Sequence, residues 1–511
     1  MSKTQLKLIK FKRSIICLVI VLLITLSVEF SPAKVLAAED IATESSDIYS
    51  DYLKAVMDMI KGSYVEEVEE DQLLEGALKG MLGSMDPYTS YYTRSEADVF
   101  FSDVEGTYQG IGVVIEKKNE YVFISKVFPG SPAEKSGLLQ GDIIVTVNGE
   151  NVTGMSVEEV AGIIKGEVGT KVTIGILRGN DSKIRNFDVE RMSIKINPVT
   201  YEIIGDIGYI KIEIFNANTS EFLKAALKEI DAKGIKKIIL DLRDNPGGLV
   251  DQCVAVAQHF VPKGLITKLE FRSQQLADQE YYSYLQKPKY KLAVLINGMS
   301  ASASEIVAGA IQDTGAGTII GTKSYGKAKV QSMLPILSPQ AYKKYSDQVG
   351  LKSVNAYDLL INYNINPLDS EVIGWTKITT GMYLTPKGNM IDGIGITPDI
   401  EVEDTELVQG IDVRNIQKLT KTWKPTLGDE GYDVYNAEKI LKVLGYDVDE
   451  PDTVLDEKTF KAVWKFRTDK GLYPGGVLDF TTQDYLNKEL DNIIMTYDKQ
   501  YAKAIEILMG S

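Results

Sequence analysis

A chain of 511 residues, 44% hydrophobic, has material for several domains, and its formal net charge of −15 argues against nucleic acid as the main partner. Its single histidine, His259, is too few for an HExxH site, and zinc-ligand spacings are absent, so neither a metal nor another cofactor is expected. Cys17 and Cys253 are the only cysteines, and no disulfide is expected in a mature chain.

The N-terminus places Lys3, Lys7, Lys10, Lys12 and Arg13 before the apolar run SIICLVIVLLITLSV and the small-residue stretch SPAKVLAAED. This is the layout of a secretory signal over residues 1–37, cut after Ala37 or Ala38. The alternative is an uncleaved membrane anchor, although the run is short of the ~20 residues a spanning helix needs. Both readings put the rest of the chain outside the cytoplasm. Residues 40–102 repeat apolar positions at three and four in DYLKAVMDMIKGSYV and DQLLEGALKGMLGSM, which predicts helices, until MDPYTSYYT breaks the pattern. Over 103–193, short β-type runs such as GIGVVIE and KVTIGILRG surround one helical piece, SVEEVAGIIKG.

Strand and helix patterns then alternate in GYIKIEIF, SEFLKAALKEIDAKG, KKIILDL, LVDQCVAVAQHFV and KLAVLIN, which predicts a mixed α/β sheet within 194–426. Residues 338–374 are rich in tyrosine and serine, weakly periodic, and read as an insertion. A last helical module spans 427–489, with Ala437, Ile440, Leu441 and Leu444 on one face and Asp456 capping the next helix. Residues 490–511 form an amphipathic helix that packs on its own protomer or, alternatively, on a second subunit, which leaves a homo-oligomer open. The expected class is therefore multidomain α/β: N-terminal helices, a β-rich domain, a mixed α/β core and a small C-terminal helical domain.

The stretch SASASE, residues 300–305, follows the run KLAVLIN. Ser302 and Glu305 have the spacing of a capping box, which is a purely structural device. LDLRDNPGG, residues 240–248, runs a buried strand into Arg243, Asn245 and the pair Gly247–Gly248. Glycines there let backbone N–H groups approach a ligand, as an oxyanion hole requires, but Asn-Pro-Gly-Gly is also an ordinary turn. SYGKAKVQS, residues 324–332, carries Lys327 and Gln331.

Together the three stretches resemble the C-terminal processing peptidases, or tail-specific proteases: a serine in an S/T-A-S-A-S-E run, then G-K-x-x-x-Q with its lysine 25 positions on. The resemblance implies that Ser302 is the nucleophile, Lys327 its general base and Gln331 the residue that orients the lysine. It also implies oxyanion donors at the N–H groups of Gly248 and Ala303. Periodicity alone does not select Ser302 over Ser300 or Ser304. An ordinary lysine, with a pKa of about 10.4, is neutral in only about one molecule in 2,500 at pH 7, so the role requires burial. His259 is expected at a helix C-terminus in contact with its dipole. Asp313 is read as structural support, and the S-x-x-K match at Ser324–Lys327 as chance, because its companion motifs are absent.

GIGVVIE with FPGSPAEKSGLLQGDIIVTVNGE resembles a PDZ domain, which implies binding of peptide C-termini, with Gly110, Ile111, Gly112 and Val113 as the carboxylate loop. GDEGYDVYNAEKILKVLGY and LDEKTFKAVWKFRTDKGL resemble a peptidoglycan-binding domain, with Arg467 where a glutamine is common. The implied whole is a secreted or anchored, wall-associated serine endopeptidase that acts on proteins or peptides recognised by their C-termini. The alternatives are a wall-tethered PDZ scaffold without activity and a hydrolase of wall peptides.

Overall fold

A computed structural model describes residues 43–118, 120–128, 130–178, 183–273, 276–351 and 354–510. The expected signal or anchor, 1–37, lies outside them. Among the described residues no helix is long and apolar enough to cross a membrane. The chain divides into two compact units at residues 77 and 78. The first holds the helix Thr43–Ser63 and the opening turns of Glu70–Gly83, bridged by Lys61 and Glu70 at 2.7 Å.

In the second unit, the 103–193 region is a β-rich module. Its strands run in the order Val113–Lys118, Tyr121–Val127, Ile143–Val147, Lys171–Leu177 and Arg185–Glu190, all antiparallel. Alternate residues such as Val122, Ile124, Ile144, Val172 and Ile174 point into its core, under the helix Val157–Ile164. Ser156 opens that helix with a capping box to Glu159. A two-stranded ribbon, Thr107–Gly110 against Met192–Lys195, carries the chain into and out of the module.

The core is built on a six-stranded sheet, ordered Val199–Ile204, Ile207–Ile212, Lys237–Asp241, Lys291–Ile296, Thr318–Gly321 and Ile400–Glu401. Its first pair is antiparallel and the rest parallel. Parallel strands buried on both faces need unbroken apolar runs, which is why KIILD and KLAVLI show no alternation. Ile238, Leu240, Val294 and Ile296 face the helices Thr219–Ala232, Val250–Ala257 and Ala303–Thr314. Ile239, Ala293 and Leu295 face the tail helix Lys499–Met509 through Tyr501, Ala504 and Leu508. The tail thus packs on its own chain. Arg243 anchors it: buried, it binds Asp241 at 2.6 Å and Asp498, just before the helix, at 2.8 Å.

An antiparallel sheet stands beside this one. Its long strand Val372–Leu384 pairs with Ser90–Thr93, Gly264–Phe271 and Lys329–Leu337. Between 337 and 372 the insertion folds as two helices, Pro339–Val349 and Ala356–Tyr363, around Ala341, Tyr345, Val354 and Leu359. The C-terminal module packs Tyr432–Val443, Glu457–Asp469 and Phe480–Tyr497 around Ile440, Leu441, Val463, Phe466 and Leu486. Arg467 is structural there: it donates to Tyr473 O at 2.9 Å and pairs with Asp479 at 2.8 Å.

Candidate active site

The parallel strand Lys291–Ile296 ends in the loop that leads to SASASE. Ser300 Oγ donates to Leu242 O at 2.8 Å, and Ser304 Oγ to Asn245 O at 2.9 Å; both serines are fully buried. Ser302 differs. It sits at the start of the helix Ala303–Thr314 with φ 54° and ψ −113°, a conformation a side chain adopts only under constraint, and its hydroxyl makes no capping hydrogen bond. Among the described residues Ser302 Oγ has no hydrogen-bond partner at all. Half of the expected capping box is therefore present: Glu305 reaches back to Ser302 N–H at 2.8 Å, and the serine side chain is left over.

Gly247, the first of the glycine pair, packs directly against this serine, and Gly248 packs on the Phe215 backbone. A Cβ on Gly247 would lie 2.8 Å from Ser302 Cβ and 2.9 Å from Ala303 N, so nothing larger fits. Gly247 N–H is taken by Asn245 Oδ1 at 2.9 Å, while Asn245 O accepts from Ala301 N–H at 3.0 Å. Asn245 thereby fixes the loop to the serine turn. Among the described residues, neither Gly248 N–H nor Ala303 N–H donates to a protein acceptor.

Lys327 precedes the strand Lys329–Leu337, in the second sheet. Glu305 joins it to the serine turn. This fully buried carboxylate accepts from Ser302 N–H and Lys327 N–H at 2.8 and 2.9 Å, and from Ser324 Oγ and Gly326 N–H at 2.6 and 2.7 Å. Tyr383 Oη lies 3.0 Å from Ser302 O and 2.8 Å from Lys327 O, with burial holding its phenol neutral. The pattern of the sequence signals Glu305 only as a helix cap, and gives no sign of Tyr383. Ser324 serves this brace rather than a helical S-x-x-K turn: its segment is not helical, and its Oγ also accepts from Ile396 N–H at 2.6 Å.

The Lys327 amine is pushed below its usual range, first by burial and then by the charge of Lys377, against the pull of Asp86 and Glu305. Its Nζ lies 4.6 Å from the centroid of the Tyr88 ring. It does not bond Ser302 Oγ. Gln331 does not reach it either, because its amide donates to Lys329 O at 3.1 Å and Thr379 Oγ1 at 3.3 Å. Structure thus brings Ser302, Gly247 and Ala303 together and ties the Lys327 backbone to them through Glu305, with Gly248 packed on Phe215, and it leaves the Lys327 and Gln331 side chains without a hydrogen bond to Ser302 or to each other.

His259 follows the helix that ends at Ala257, its backbone N–H donates to Val256 O at 3.1 Å, and burial together with Lys224 pushes the imidazole below its usual range. Asp313 accepts from Lys387 N–H at 2.9 Å and so supports the turn after the long strand. In the β-rich module, Gly110 ends the ribbon, Ile111 is buried and Val113 starts the edge strand. Gly112 has φ +87°, and a Cβ there would lie 2.3 Å from Ser131 Cβ, so the loop requires glycine.

A free hydroxyl beside unpaired amides suits acyl transfer from a peptide carbonyl, which is the work of a serine-type peptidase. Comparison with known proteins gives the family. Residues 206–402 match the model for peptidase family S41, 123–178 a PDZ domain, 28–96 the N-terminal domain of the activating protease CtpB, and 430–486 a peptidoglycan binding domain. The loop 110–113 lies just before the matched PDZ span. A "Probable CtpA-like serine protease" of Staphylococcus epidermidis is 31% identical over 441 residues, covering 86% of this chain and 81% of that protein. One from Staphylococcus aureus is 31% identical over 459 residues, covering 89% and 84%. The chain belongs to this family, the CtpA-like serine proteases of peptidase family S41. A solved photosystem II D1 C-terminal processing protease is 25% identical, with 71% of this chain and 94% of that one covered and a TM-score of 0.37.

Proposed function

We propose that this peptidase cleaves proteins or peptides recognised by their C-termini, with Ser302 as nucleophile and Lys327 as general base. The observation that carries the reading is the contrast within SASASE: Ser300 and Ser304 are committed to backbone carbonyls, and Ser302, whose Oγ makes no capping bond, packs against Gly247. Neutral Lys327 takes the hydroxyl proton as Oγ bonds to the scissile carbonyl carbon. The oxyanion is held by the two amides, and losing one such donor costs about 100- to 1,000-fold in rate. The ammonium then protonates the leaving amine, and the acyl-enzyme is hydrolysed by a water that Lys327 deprotonates in turn. Gln331 orients the amine once Lys327 has swung towards Ser302. The PDZ loop 110–113 receives the substrate's carboxylate, and the 430–486 module holds the enzyme at peptidoglycan outside the cytoplasm, secreted or anchored by residues 1–37.

The test is cleavage of an unfolded, casein-like protein and of tail peptides. Ser302→Ala and Lys327→Ala should fall to background, while His259→Ala keeps most of the wild-type rate. Substantial cleavage by Lys327→Ala rejects the dyad. Turnover of muropeptides in preference to both protein substrates would favour a wall hydrolase.

A further inference from the structure

Tyr88 lies far from Lys327 in sequence, in the turn that follows the helix Glu70–Gly83. Asp86 Oδ1 locks this turn by accepting from Tyr88 N–H at 2.8 Å and Thr89 N–H at 2.9 Å. Thr379 N–H donates to Thr89 Oγ1 at 3.2 Å, and the next residues, Ser90–Thr93, pair with Val372–Leu384. The ring is therefore fixed to the same sheet that carries Gln331 and its partner Thr379. Its centroid is 4.6 Å from Lys327 Nζ and 5.8 Å from Lys329 Nζ. Burial and the Tyr325 hydroxyl push the Tyr88 phenol up to about 12, so the ring stays neutral at working pH.

Among the described residues, Lys327 Nζ has no ion-pair partner and no hydrogen-bond acceptor. What it touches is a π face, and a π face attracts the ammonium but not the neutral amine. The base must be neutral and must point at Ser302 Oγ; this contact favours the opposite on both counts. We propose that Tyr88 is a positioning residue for the base: its ring holds Lys327 as an ammonium clear of Ser302, and the lysine works only after leaving that ring. The proposal rests on the reading of Lys327 as the base. The other charges around the amine come from every side. Asp86 in the turn and Glu305 on the nucleophile's helix favour the ammonium, and Lys377 on the neighbouring strand opposes it. Lys329 shares the ring, while Asp392 and Tyr325 act on Tyr88 itself.

The experiment compares the full chain as wild type, Tyr88→Leu and Tyr88→Phe. One readout is the acid limb of kcat/KM against pH. The other, independent of activity, is the NMR titration of ε-13C-labelled Lys327, assigned with Lys327→Arg. Removing a contact that favours the ammonium lowers the lysine pKa, so both should move down by about 0.5–1.5 pH units in Tyr88→Leu. Rates below the limb then rise about 3- to 30-fold. Tyr88→Phe keeps the ring and should keep the wild-type titration. A titration unmoved in Tyr88→Leu, raised, or shifted as far in Tyr88→Phe overturns the proposal. Tyr88→Met replaces the leucine variant if the latter fails to fold. The two readings fail separately. If the titration moves as expected but Lys327→Ala cleaves like wild type, the dyad falls and the contact stands. If Lys327→Ala is inactive and the titration does not move, the dyad stands and Tyr88 has no such role.

Discussion

Among the described residues Glu305 forms no ion pair, so its buried carboxylate relies on neutral donors, and it is met by four within 2.9 Å. Two of them are the backbone amides of Ser302 and Lys327, so one side chain sets the distance between the serine turn and the lysine segment. Glu305→Gln keeps the size but turns one acceptor oxygen into a donor facing two donors. Each buried polar group left unpaired costs about 1–3 kcal/mol, so unfolding in urea should show a loss of about 3 kcal/mol or more. A misplacement of about 1 Å at a reacting centre costs on the order of 100-fold, and kcat should fall at least that far. A Glu305→Gln enzyme with wild-type kcat would mean that the brace has no part in placing the two residues. At this scale the sequence was half legible. The spacing of Ser302 and Glu305 gives the cap, but a cap uses the serine hydroxyl, and only the positive φ of Ser302 turns that hydroxyl away. Nor does spacing reveal Tyr88 or Tyr383, since each reaches the site from a distant segment through sheet pairing.

Among the elements, those that bury both faces were the easiest to read. KIILD and KLAVLI had to be strands of a covered parallel sheet, and SEFLKAALKEIDA had the period of the helix that covers it. The second sheet was harder. Its long pair Lys329–Leu337 and Val372–Leu384 is one hairpin interrupted by the insertion, and its residues are half-buried, without a clean alternation. The insertion looked weakly periodic because its two helices are short and share a small core. For the tail, amphipathicity gave the helix but not what covers its apolar face. That face closes the six-stranded sheet, with Leu508 buried among Ile239, Leu295 and their neighbours. Leu508→Ala leaves a cavity there and should cost about 2–5 kcal/mol in urea unfolding. A loss below about 0.5 kcal/mol, within the range of surface substitutions, would show that the helix does not cover the sheet in solution.

Over the whole molecule, the peptide-binding module is an excursion from the core, joined to it by one ribbon. Its entry point is clamped where Asn218 Nδ2 donates to Gly106 O at 2.7 Å and Ile196 N–H donates to the same carbonyl at 2.7 Å. On its far side, Glu116 of the edge strand accepts from the Tyr432 hydroxyl of the C-terminal module. The module is thus held between the core and the wall-binding domain, and a ligand on it can change the active site only by binding one arrangement better than another. For the proposed peptide-binding loop 110–113, the expected ligand is a chain-terminal carboxylate. Among the described residues the Ile111 and Gly112 amides donate to no backbone acceptor, while their carbonyls hold Ala133 N–H and Phe128 N–H at 2.9 and 3.0 Å. Amides free in a loop whose carbonyls are occupied favour an anion, and a chain terminus supplies a carboxylate beside an apolar side chain. Initial rates on matched peptides should therefore be higher with a free apolar C-terminus than with an amidated one. In the full chain, Gly112→Val forces a side chain against Ser131 and should erase the difference between the two peptides. Equal rates for carboxylate and amide with the unaltered enzyme would exclude carboxylate sensing by this loop, and would leave the chemistry at Ser302 untouched.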